Sequence, residues 1–301
     1  MRLVPESRRF SMIAILPASR PAGMRPGGRF VVTMTRGAAL AGLLLSLLAA
    51  PAPALAQGTG IRYDPDIYGG RESRRLIHRF IEDAVIAPGG WVEAQYRYAN
   101  LANGGSRHFA GPLLAFRLGA NMEGGLRFGF LDVNRAAGPG GSGLSDIDLY
   151  AKYRVPSGPR HSFAFGGLVK APTADETEGL GTGEPDLELF SAFRADLEGV
   201  LFVLSAGVRF NGDAALPRGS SKDSYMLGGG LLMPVTPRLT IIVEGTYDSW
   251  TAEAADDDSR LTVGVQRFGR LGRGGFRAGI GVPLNDGAPD YEVLLGAYMT
   301  Y

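Results

Sequence analysis

From residue 91 onward, apolar and polar positions alternate along segments of about ten residues, and stretches rich in Gly, Pro, Asn and Asp separate them. In the segment Arg238–Asp248, the apolar Leu239, Ile241 and Val243 share one face and Thr240, Glu244 and Thr246 share the other. A period of two indicates a β-strand with one apolar and one polar face. The pattern predicts strands at Trp91–Asn100, His108–Gly119, Glu123–Asp132, Ser145–Val155, Ser162–Ala171, Pro185–Asp196, Val200–Phe210, Ser224–Met233, Arg238–Asp248, Ser259–Arg267, Gly275–Leu284 and Tyr291–Tyr301.

The connections between these strands alternate between short and long. Short ones such as "DLEG" and "PVTP" follow long ones such as "PTADETEGLGTGE" and "NGDAALPRGSSKD". Strands of about 9–11 residues joined in this way are typical of transmembrane β-barrels, which have short periplasmic turns and longer external loops. A soluble β-sandwich would also alternate, but its core would need larger apolar side chains. We therefore predict an all-β fold, a closed antiparallel transmembrane barrel of about 12 strands spanning residues 91–301.

Many polar faces of the predicted strands carry charges. An Arg or Lys facing lipid at the bilayer midplane costs about 2–4 kcal/mol, so these side chains should point into the lumen. The lumen-lining candidates are Glu93, Arg97, Arg117, Arg127, Asp148, Lys152, Arg154, Glu188, Arg194, Arg209, Glu244, Arg277 and Glu292. They could fill a narrow barrel as a network of ion pairs or line a watery path. Because twelve strands enclose more room than eight and less than sixteen, we expect a channel constricted by ion pairs.

The N-terminal part has the features of an export signal. Thr35–Gln57 contains Arg36, an apolar run from Ala38 to Ala50, and the small-residue pattern Ala54-Leu55-Ala56. This predicts a signal peptide within residues 1–56, cleaved after Ala56, and the run is too short for a spanning helix of about 20 residues, the alternative being an inner-membrane anchor. Since signal peptides begin near the initiator, residues 1–33 suggest a misassigned start, with translation beginning at Met34.

Residues 57–90 form a predicted periplasmic segment between signal and barrel. Within Arg71–Ala87, the apolar residues recur at helical spacing (Leu76, Ile77, Phe80, Ile81, Ala84 and Val85), and charged residues occupy much of the rest. This predicts a short amphipathic helix. It could lie on the inner leaflet, plug the lumen or cap the periplasmic mouth.

Composition narrows the function classes. The 301 residues include 31 basic and 30 acidic residues, and this balance argues against general nucleic-acid binding. The absence of Cys excludes disulfides and thiolate chemistry. A Ser–His site needs a base that approaches a nucleophile, but the three histidines (His78, His108 and His161) fall in different predicted elements. A lipid hydrolase using Ser106 and His108 is a weaker alternative. The acidic groups at 175–178 and 256–258 lack the spacing of a calcium loop, so we predict no metal site. We also predict no cofactor and no enzymatic activity.

One stretch resembles a known family. "DIDLYAKYRV" and the following "SFAFGGLVKAPTADETEGLGTGEPDLELF" are similar to outer-membrane barrels of the transporter family of the meta-pathway of phenol degradation. The matching residues are Asp146, Leu149, Lys152, Tyr153 and Arg154, followed by Lys170, Pro172, Thr173, Asp175, Gly181, Gly183 and Asp186. The resemblance implies passage of small hydrophobic or aromatic molecules. It carries no catalytic residues.

The predicted last strand ends on Tyr301, and an aromatic in this place suits the interfacial girdle of a barrel. The likeness to outer-membrane barrels implies that the barrel assembly machinery binds this strand, and that outer-membrane lipid and lipopolysaccharide surround the protein. We therefore expect a Gram-negative outer-membrane channel that passes small, hydrophobic or aromatic compounds by passive diffusion. A channel for polar or anionic solutes such as acidic sugars, a barrel-embedded hydrolase and a closed structural barrel are the alternatives.

Overall fold

The computed structural model describes residues 71–87, 89–101, 104–136, 140–158, 160–212, 223–249, 257–269 and 272–301. The predicted signal peptide, its cleavage after Ala56 and the proposed start at Met34 lie outside these residues. No helix in the described ranges is long and apolar enough to cross a membrane.

Fourteen strand segments follow a 3₁₀ turn at Arg71–Ser73 in the described part of the chain. They are β1 (Gly90–Leu101), β2 (Gly105–Gly119), β3 (Met122–Arg127), β4 (Phe130–Asn134), β5 (Gly141–Leu144), β6 (Ile147–Val155), β7 (His161–Ala171), β8 (Asp186–Leu197), β9 (Val200–Phe210), β10 (Ser224–Thr236), β11 (Leu239–Asp248), β12 (Asp258–Phe268), β13 (Gly274–Pro283) and β14 (Tyr291–Thr300).

These segments form one closed antiparallel barrel of twelve strands. β3 and β4 are two halves of one strand, and β5 and β6 are two halves of the next, because β2 pairs with both β3 and β4. The barrel closes where β1 pairs with β14, from Trp91 opposite Thr300 to Asn100 opposite Tyr291. The predicted twelve-stranded antiparallel barrel is therefore confirmed.

The interruption between β3 and β4 has a cause in β2. Pro112 has no N–H to donate to the ladder. The remaining contact at this point is a long hydrogen bond of 3.4 Å from the N–H of Phe128, in the gap between β3 and β4, to the Pro112 carbonyl. The neighbouring gap is bridged by a bond from Ser145 N to Gly129 O at 2.8 Å, so the wall stays continuous.

The two ends of the barrel differ. The turn end carries the connections 120–121, 156–160, 198–199, 237–238 and 269–273, and the loop end carries 102–104, 135–140, 172–185, 211–223, 249–257 and 284–290. At the turn end, Glu198 and Gly199 both have positive φ (56° and 99°), as a two-residue type I′ hairpin requires. The chain enters β1 and leaves β14 at this same end.

The outer surface is apolar, as lipid contact requires. Side chains such as Phe165, Leu189, Leu204 and Leu295 are about half exposed on the outward positions of their strands. The inward positions of the same strands carry buried polar side chains, among them Lys152, Glu188, Glu244 and Gln266. This distribution places the apolar face outside and the polar face inside.

The predicted helix over Arg71–Ala87 is wrong. Apart from the 3₁₀ turn at Arg71–Ser73, the described segment is irregular. Its apolar residues are buried as the periodicity indicated, but inside the barrel, where the wall surrounds them on all sides. A helix satisfies its backbone through i to i−4 bonds. Here, side chains of the wall bond to the backbone instead.

Candidate functional site: a plug segment and the vestibule beside it

We call residues 71–87 the plug segment, because they lie within the lumen. Arg74 near its start donates to the carbonyl of Pro237 (3.2 Å), and Ala87 at its end donates its N–H to Glu123 (2.6 Å). Both contacts lie at or near the turn end. Between them, Arg79 reaches Asp248, the loop-end residue of β11, at 2.7 Å. The segment therefore enters and leaves at the turn end and extends towards the loop end between.

The carboxylate of Glu244 on β11 holds the middle of the plug segment. It accepts three consecutive backbone N–H groups, from Ile77 (2.8 Å), His78 (2.9 Å) and Arg79 (2.7 Å). A carboxylate that receives several N–H donors forms charge-assisted hydrogen bonds, which are about twice as strong as neutral ones. Glu244 is fully buried, so these bonds are shielded from water.

Cationic side chains of the barrel wall donate hydrogen bonds to the backbone carbonyls of the same segment. The main-chain contacts are Arg277 to the carbonyl of Leu76 (2.9 Å), Lys152 to those of Ile81 (3.0 Å) and Asp83 (2.9 Å), and Arg194 to that of Arg74 (2.9 Å). Arg194 also forms an ion pair with the Asp83 side chain at 2.9 Å. Gln266 adds a bond to the carbonyl of Ser73 at 2.7 Å. Because buried backbone groups must find partners, these contacts take the place of helical hydrogen bonds.

Glu123 on β3 is the most heavily bonded carboxylate at the end of the plug segment. It pairs with Arg75 through two contacts of 3.1 and 2.6 Å and with Lys152 at 3.1 Å. It also accepts bonds from Ala87 N and from the hydroxyl of Tyr150 at 3.2 Å. Removing one charge from such a cluster leaves the others buried without compensation.

Apolar packing completes the attachment. Phe80 packs with Trp91, at 5.2 Å between ring centroids, and Trp91 stacks on Tyr298 at 4.3 Å. An inward glycine of β13 makes room for another apolar side chain of the segment: a Cβ at Gly279 would stand 2.8 Å from Ile77 Cδ1. This close approach requires an inward position without a side chain.

Burial and neighbouring charges shift the pKa values of His78 and Arg79 in the plug segment. Burial lowers the pKa of His78 to about 3, outweighing the Glu292 carboxylate 3.7 Å away. Burial alone would also lower the pKa of Arg79, but Glu82 and Asp248 outweigh it and raise that pKa above its ordinary range. His78 is therefore neutral at pH 7, whereas Arg79 is charged.

A cavity of about 600 Å³, which we call the vestibule, lies between the plug segment and the loop end. His78, Arg79, Ile81 and Glu82 form its boundary on the plug side. Of the 27 described residues that line it, 15 are charged and five are apolar (Ile81, Ala99, Phe109, Leu131 and Leu168). The space is therefore suited to polar solutes.

Ion pairs connect most of the vestibule's charges. They join Arg79 to Glu82 and Asp248, Arg127 to Asp148, Lys170 to Asp146 and Asp186, Arg209 to Glu188, and Arg260 to Asp258 and Glu292. Each of the eight carboxylates that line the vestibule takes part in one of these pairs. Arg97 and Arg107, by contrast, make no hydrogen bond or ion pair with any described residue.

Twelve of the lumen-lining candidates fall into two groups, those that hold the plug segment and those that line the vestibule, and Arg117 belongs to neither. Glu93, Lys152, Arg154, Arg194, Glu244 and Arg277 contact the plug segment or a cation that holds it. Arg97, Arg127, Asp148, Glu188, Arg209 and Glu292 line the vestibule. Arg117 is exposed at the turn end, where it donates to the carbonyls of Gly119 and Ala120, because its strand ends there.

Of the residues that carry the family resemblance, Asp146 and those from Lys170 onward lie at the loop end, whereas Lys152, Tyr153 and Arg154 lie near the turn end of β6. Lys170 bridges Asp146 and Asp186, and Asp146 Oδ1 accepts the N–H groups of Thr173 and Ala174 at 3.0 Å. A Cβ at Gly181 would stand 2.9 Å from both carboxylate oxygens of Asp146. The other loop residues act locally. Asp175 accepts from Thr177, Gly183 has φ 76°, and Pro172 directly follows β7.

Several residues of the site were not among the sequence candidates. Gln266, Thr240 and Ser162 bond to the plug segment, and Glu82 and Asp83 on the segment pair with cations. The inward glycines at 228, 230, 264 and 279 also adjoin it. Thr240, Gln266 and Ser162 share the inward parity of the charged candidates, so the alternation of polar positions marks them too.

The histidines do not form a common site. His78 lies in the plug segment, and His161 begins β7 at the turn end. His108 forms a 2.9 Å hydrogen bond with the hydroxyl of Tyr96, which points outward from the barrel. In the described ranges, no group of three or more His, Asp or Glu side chains could hold a metal ion.

Comparisons with known proteins support the fold. No family model matches the chain, and no curated protein matches it. Among solved structures, an outer membrane channel from Pseudomonas putida F1 is similar with a TM-score of 0.54 and 16% identity, covering 70% of this chain and 94% of that one. The NanC porin is similar with a TM-score of 0.51 and 8% identity, covering 70% and 98%. These likenesses agree with the closed antiparallel β-barrel fold of this chain.

Proposed function

We propose that this protein is an outer-membrane channel for small solutes whose path through the barrel is occupied by its own plug segment. The observation that carries the proposal is the buried position of residues 73–77 and 79–87 inside a closed barrel, beside a vestibule of about 600 Å³. In outer-membrane barrels the longer loops face outside. Solutes would thus enter the vestibule from outside and pass when the plug segment shifts.

The attachment of the plug segment is suited to reversible movement. Many of its polar contacts are single hydrogen bonds from wall side chains to backbone groups, each worth about 0.5–3 kcal/mol net. Water can replace them one after another when the segment moves. A continuous helix or strand pairing with the wall would instead have to be broken cooperatively.

The lining favours polar solutes, including anionic ones such as acidic sugars. Fifteen of the 27 described lining residues are charged, and a purely hydrophobic compound would have to displace the water bound to them. The passage of purely hydrophobic or aromatic compounds, which the resemblance to phenol-pathway transporters implies, finds less support in this lining. A signal peptide cleaved after Ala56, contact with lipopolysaccharide and recognition of the Tyr301 end by the barrel assembly machinery also belong to the proposal.

Planar-bilayer conductance tests the channel. In a variant carrying Leu76→Ser, Ile77→Ser and Phe80→Ser, the buried apolar contacts of the plug segment are lost, so we expect larger and more frequent openings than in the wild type. Leu284→Ser, an exposed leucine at the loop end, is the control and should conduct as the wild type does. If neither the wild type nor the correctly folded triple variant conducts, the protein is a closed barrel and the proposal is wrong.

A further inference from the structure

Two guanidinium groups of the vestibule make no hydrogen bond or ion pair with a described residue, although the Glu292 carboxylate attracts both. They are those of Arg97 on β1 and Arg107 on β2, and both line the cavity. Their strands are adjacent, with Arg97 opposite Phe109 and Ala99 opposite Arg107. The two arginines are therefore diagonal neighbours on one inward face, and their Cα atoms should lie about 7–8 Å apart.

The nearby carboxylates are already engaged. Glu292 contacts Arg260 at 2.6 Å and Asp148 contacts Arg127 at 2.6 Å. The carboxylates of the vestibule outnumber its Arg and Lys side chains by eight to seven. The free hydrogen-bond donors of Arg97 and Arg107 therefore do not reflect a general excess of positive charge. They belong to a local pair of guanidiniums that offers up to ten N–H donors, about five each, to whatever enters the cavity.

Apolar side chains border this pair. Phe109 stands opposite Arg97 in the β1–β2 ladder, and Leu131 stands opposite Phe109 in the β2–β4 ladder. Both line the vestibule, and they are two of its five apolar lining residues. A row running from Arg97 through Phe109 to Leu131 thus changes from charged to apolar across neighbouring strands.

We propose that Arg97 and Arg107 form a binding site for the carboxylate of a small organic acid whose apolar part lies against Phe109 and Leu131. Guanidinium groups bind carboxylates through paired, charge-assisted hydrogen bonds. The adjacent apolar row selects acids that carry a ring or a short hydrocarbon part over inorganic anions. This inference rests on the proposed channel function and narrows its solutes to amphipathic carboxylates.

Binding to the full-length protein in detergent micelles tests the site without any transport step. Benzoate is the probe, benzyl alcohol supplies the same ring without charge, and acetate supplies the charge without the ring. We expect titration calorimetry to show benzoate binding more tightly than either, and more weakly as salt is raised, because the contact is electrostatic. Equal affinity for benzoate and benzyl alcohol would overturn the carboxylate assignment, and equal affinity for benzoate and acetate would overturn the apolar one.

Substitutions assign the binding to residues. Arg97→Gln and Arg107→Gln should each weaken benzoate binding about tenfold, which is the loss of one charge-assisted contact. Arg117→Gln is the matched control, because Arg117 lies on the same strand as Arg107 but at the turn end, outside the vestibule. Unchanged benzoate affinity in the Arg97→Gln/Arg107→Gln double variant, with the fold verified by its heat-dependent gel mobility, would overturn the proposal.

The two proposals fail separately. Benzoate binding that disappears in the double variant, combined with no conductance from any variant, would leave the site standing and reject the channel. Conductance that responds to the plug substitutions, combined with no benzoate binding, would leave the channel standing and reject this site.

Discussion

Arg75 of the plug segment and Glu123 of the barrel wall form a fully buried ion pair. Nη1 lies 3.1 Å from Oε1, Nη2 lies 2.6 Å from Oε2, and both side chains have no exposed surface. Two parallel bonds fix the orientation of the two groups as well as their separation. This pair therefore sets the position of the plug segment relative to β3.

Breaking this pair should release the plug segment. Glu123→Gln leaves Arg75 and Lys152 buried without their carboxylate, and losing one partner of a buried pair costs about 3–5 kcal/mol. We expect hydrogen exchange at residues 75–87 to accelerate strongly while the strands stay protected, as mass spectrometry of peptides can measure. Glu178→Gln, in the exposed loop, is the control. A change in the plug segment no larger than in the control would show that the pair does not position it.

The carboxylate of Glu244 should protect three specific amides. In Glu244→Gln, a single neutral oxygen replaces the carboxylate that accepts from Ile77, His78 and Arg79, a loss of about 1–3 kcal/mol. We expect exchange at these amides to accelerate about 10- to 100-fold, as residue-resolved exchange can measure. Asp248→Asn, which removes only a side-chain contact to Arg79, should affect them less. Equal effects of the two substitutions would contradict this role.

Acidification should weaken the docking of the plug segment through His78. The docked pKa is about 3, below the ordinary value of about 6.5 that a released segment would have. The released state therefore binds more protons between these values. The contribution of His78 to docking is complete above about pH 6.5 and is lost progressively towards pH 3. Over this range the equilibrium constant for docking falls by at most about tenfold per pH unit.

Conductance measured between pH 7 and pH 5 checks this prediction. Openings should become more frequent as the pH falls, and His78→Gln should flatten the dependence. Glu292, Arg97, Arg260 and Arg79 surround His78, and they are unchanged in this variant. A pH profile identical in the wild type and the variant would show that another group titrates.

Lys170 should hold the loop 172–185 against the barrel. It bridges Asp146 and Asp186, and Lys170→Met leaves these two carboxylates facing each other. We expect a Glu-specific protease to cleave after Glu176 or Glu178 faster than in the wild type. Asp175→Asn, which weakens contacts to Thr177 and Glu178 within the loop itself, is the control. Equal cleavage rates in all three proteins would contradict this role.

Most of the barrel could be predicted from the sequence, because a strand's faces are determined locally. The alternation in Arg238–Asp248 is sufficient to place Glu244 on the inner face. The conformation of the plug segment could not be predicted in this way. The spacing of Leu76, Ile77, Phe80 and Ile81 fits a helix, but partners distant in sequence decide its backbone.

The same limit applies to the charges of the lumen. Alternation separates inward from outward positions, but it does not show which cation meets which carboxylate. Among the described residues, Arg97 and Arg107 have no hydrogen-bond or ion-pair partner, whereas Arg127 and Arg260 are paired. This difference depends on the shear of the barrel and on the plug segment. For Lys170 the sequence predicted part of the outcome. The residue belongs to the motif of the family resemblance, but its contacts with Asp146 and Asp186 are seen only in the fold.

A reversible crosslink tests whether the plug segment must move for solutes to pass. The chain has no Cys, so Ile77→Cys with Gly279→Cys would supply its only pair of thiols, at positions where a Cβ on residue 279 stands 2.8 Å from Ile77 Cδ1. The single-cysteine variants are the controls for each substitution alone. The measurement is single-channel conductance of the double variant, oxidised and then reduced. We predict that the oxidised protein shows no openings and that reduction restores them to the level of the single variants; openings of equal size and frequency in both states would contradict the account.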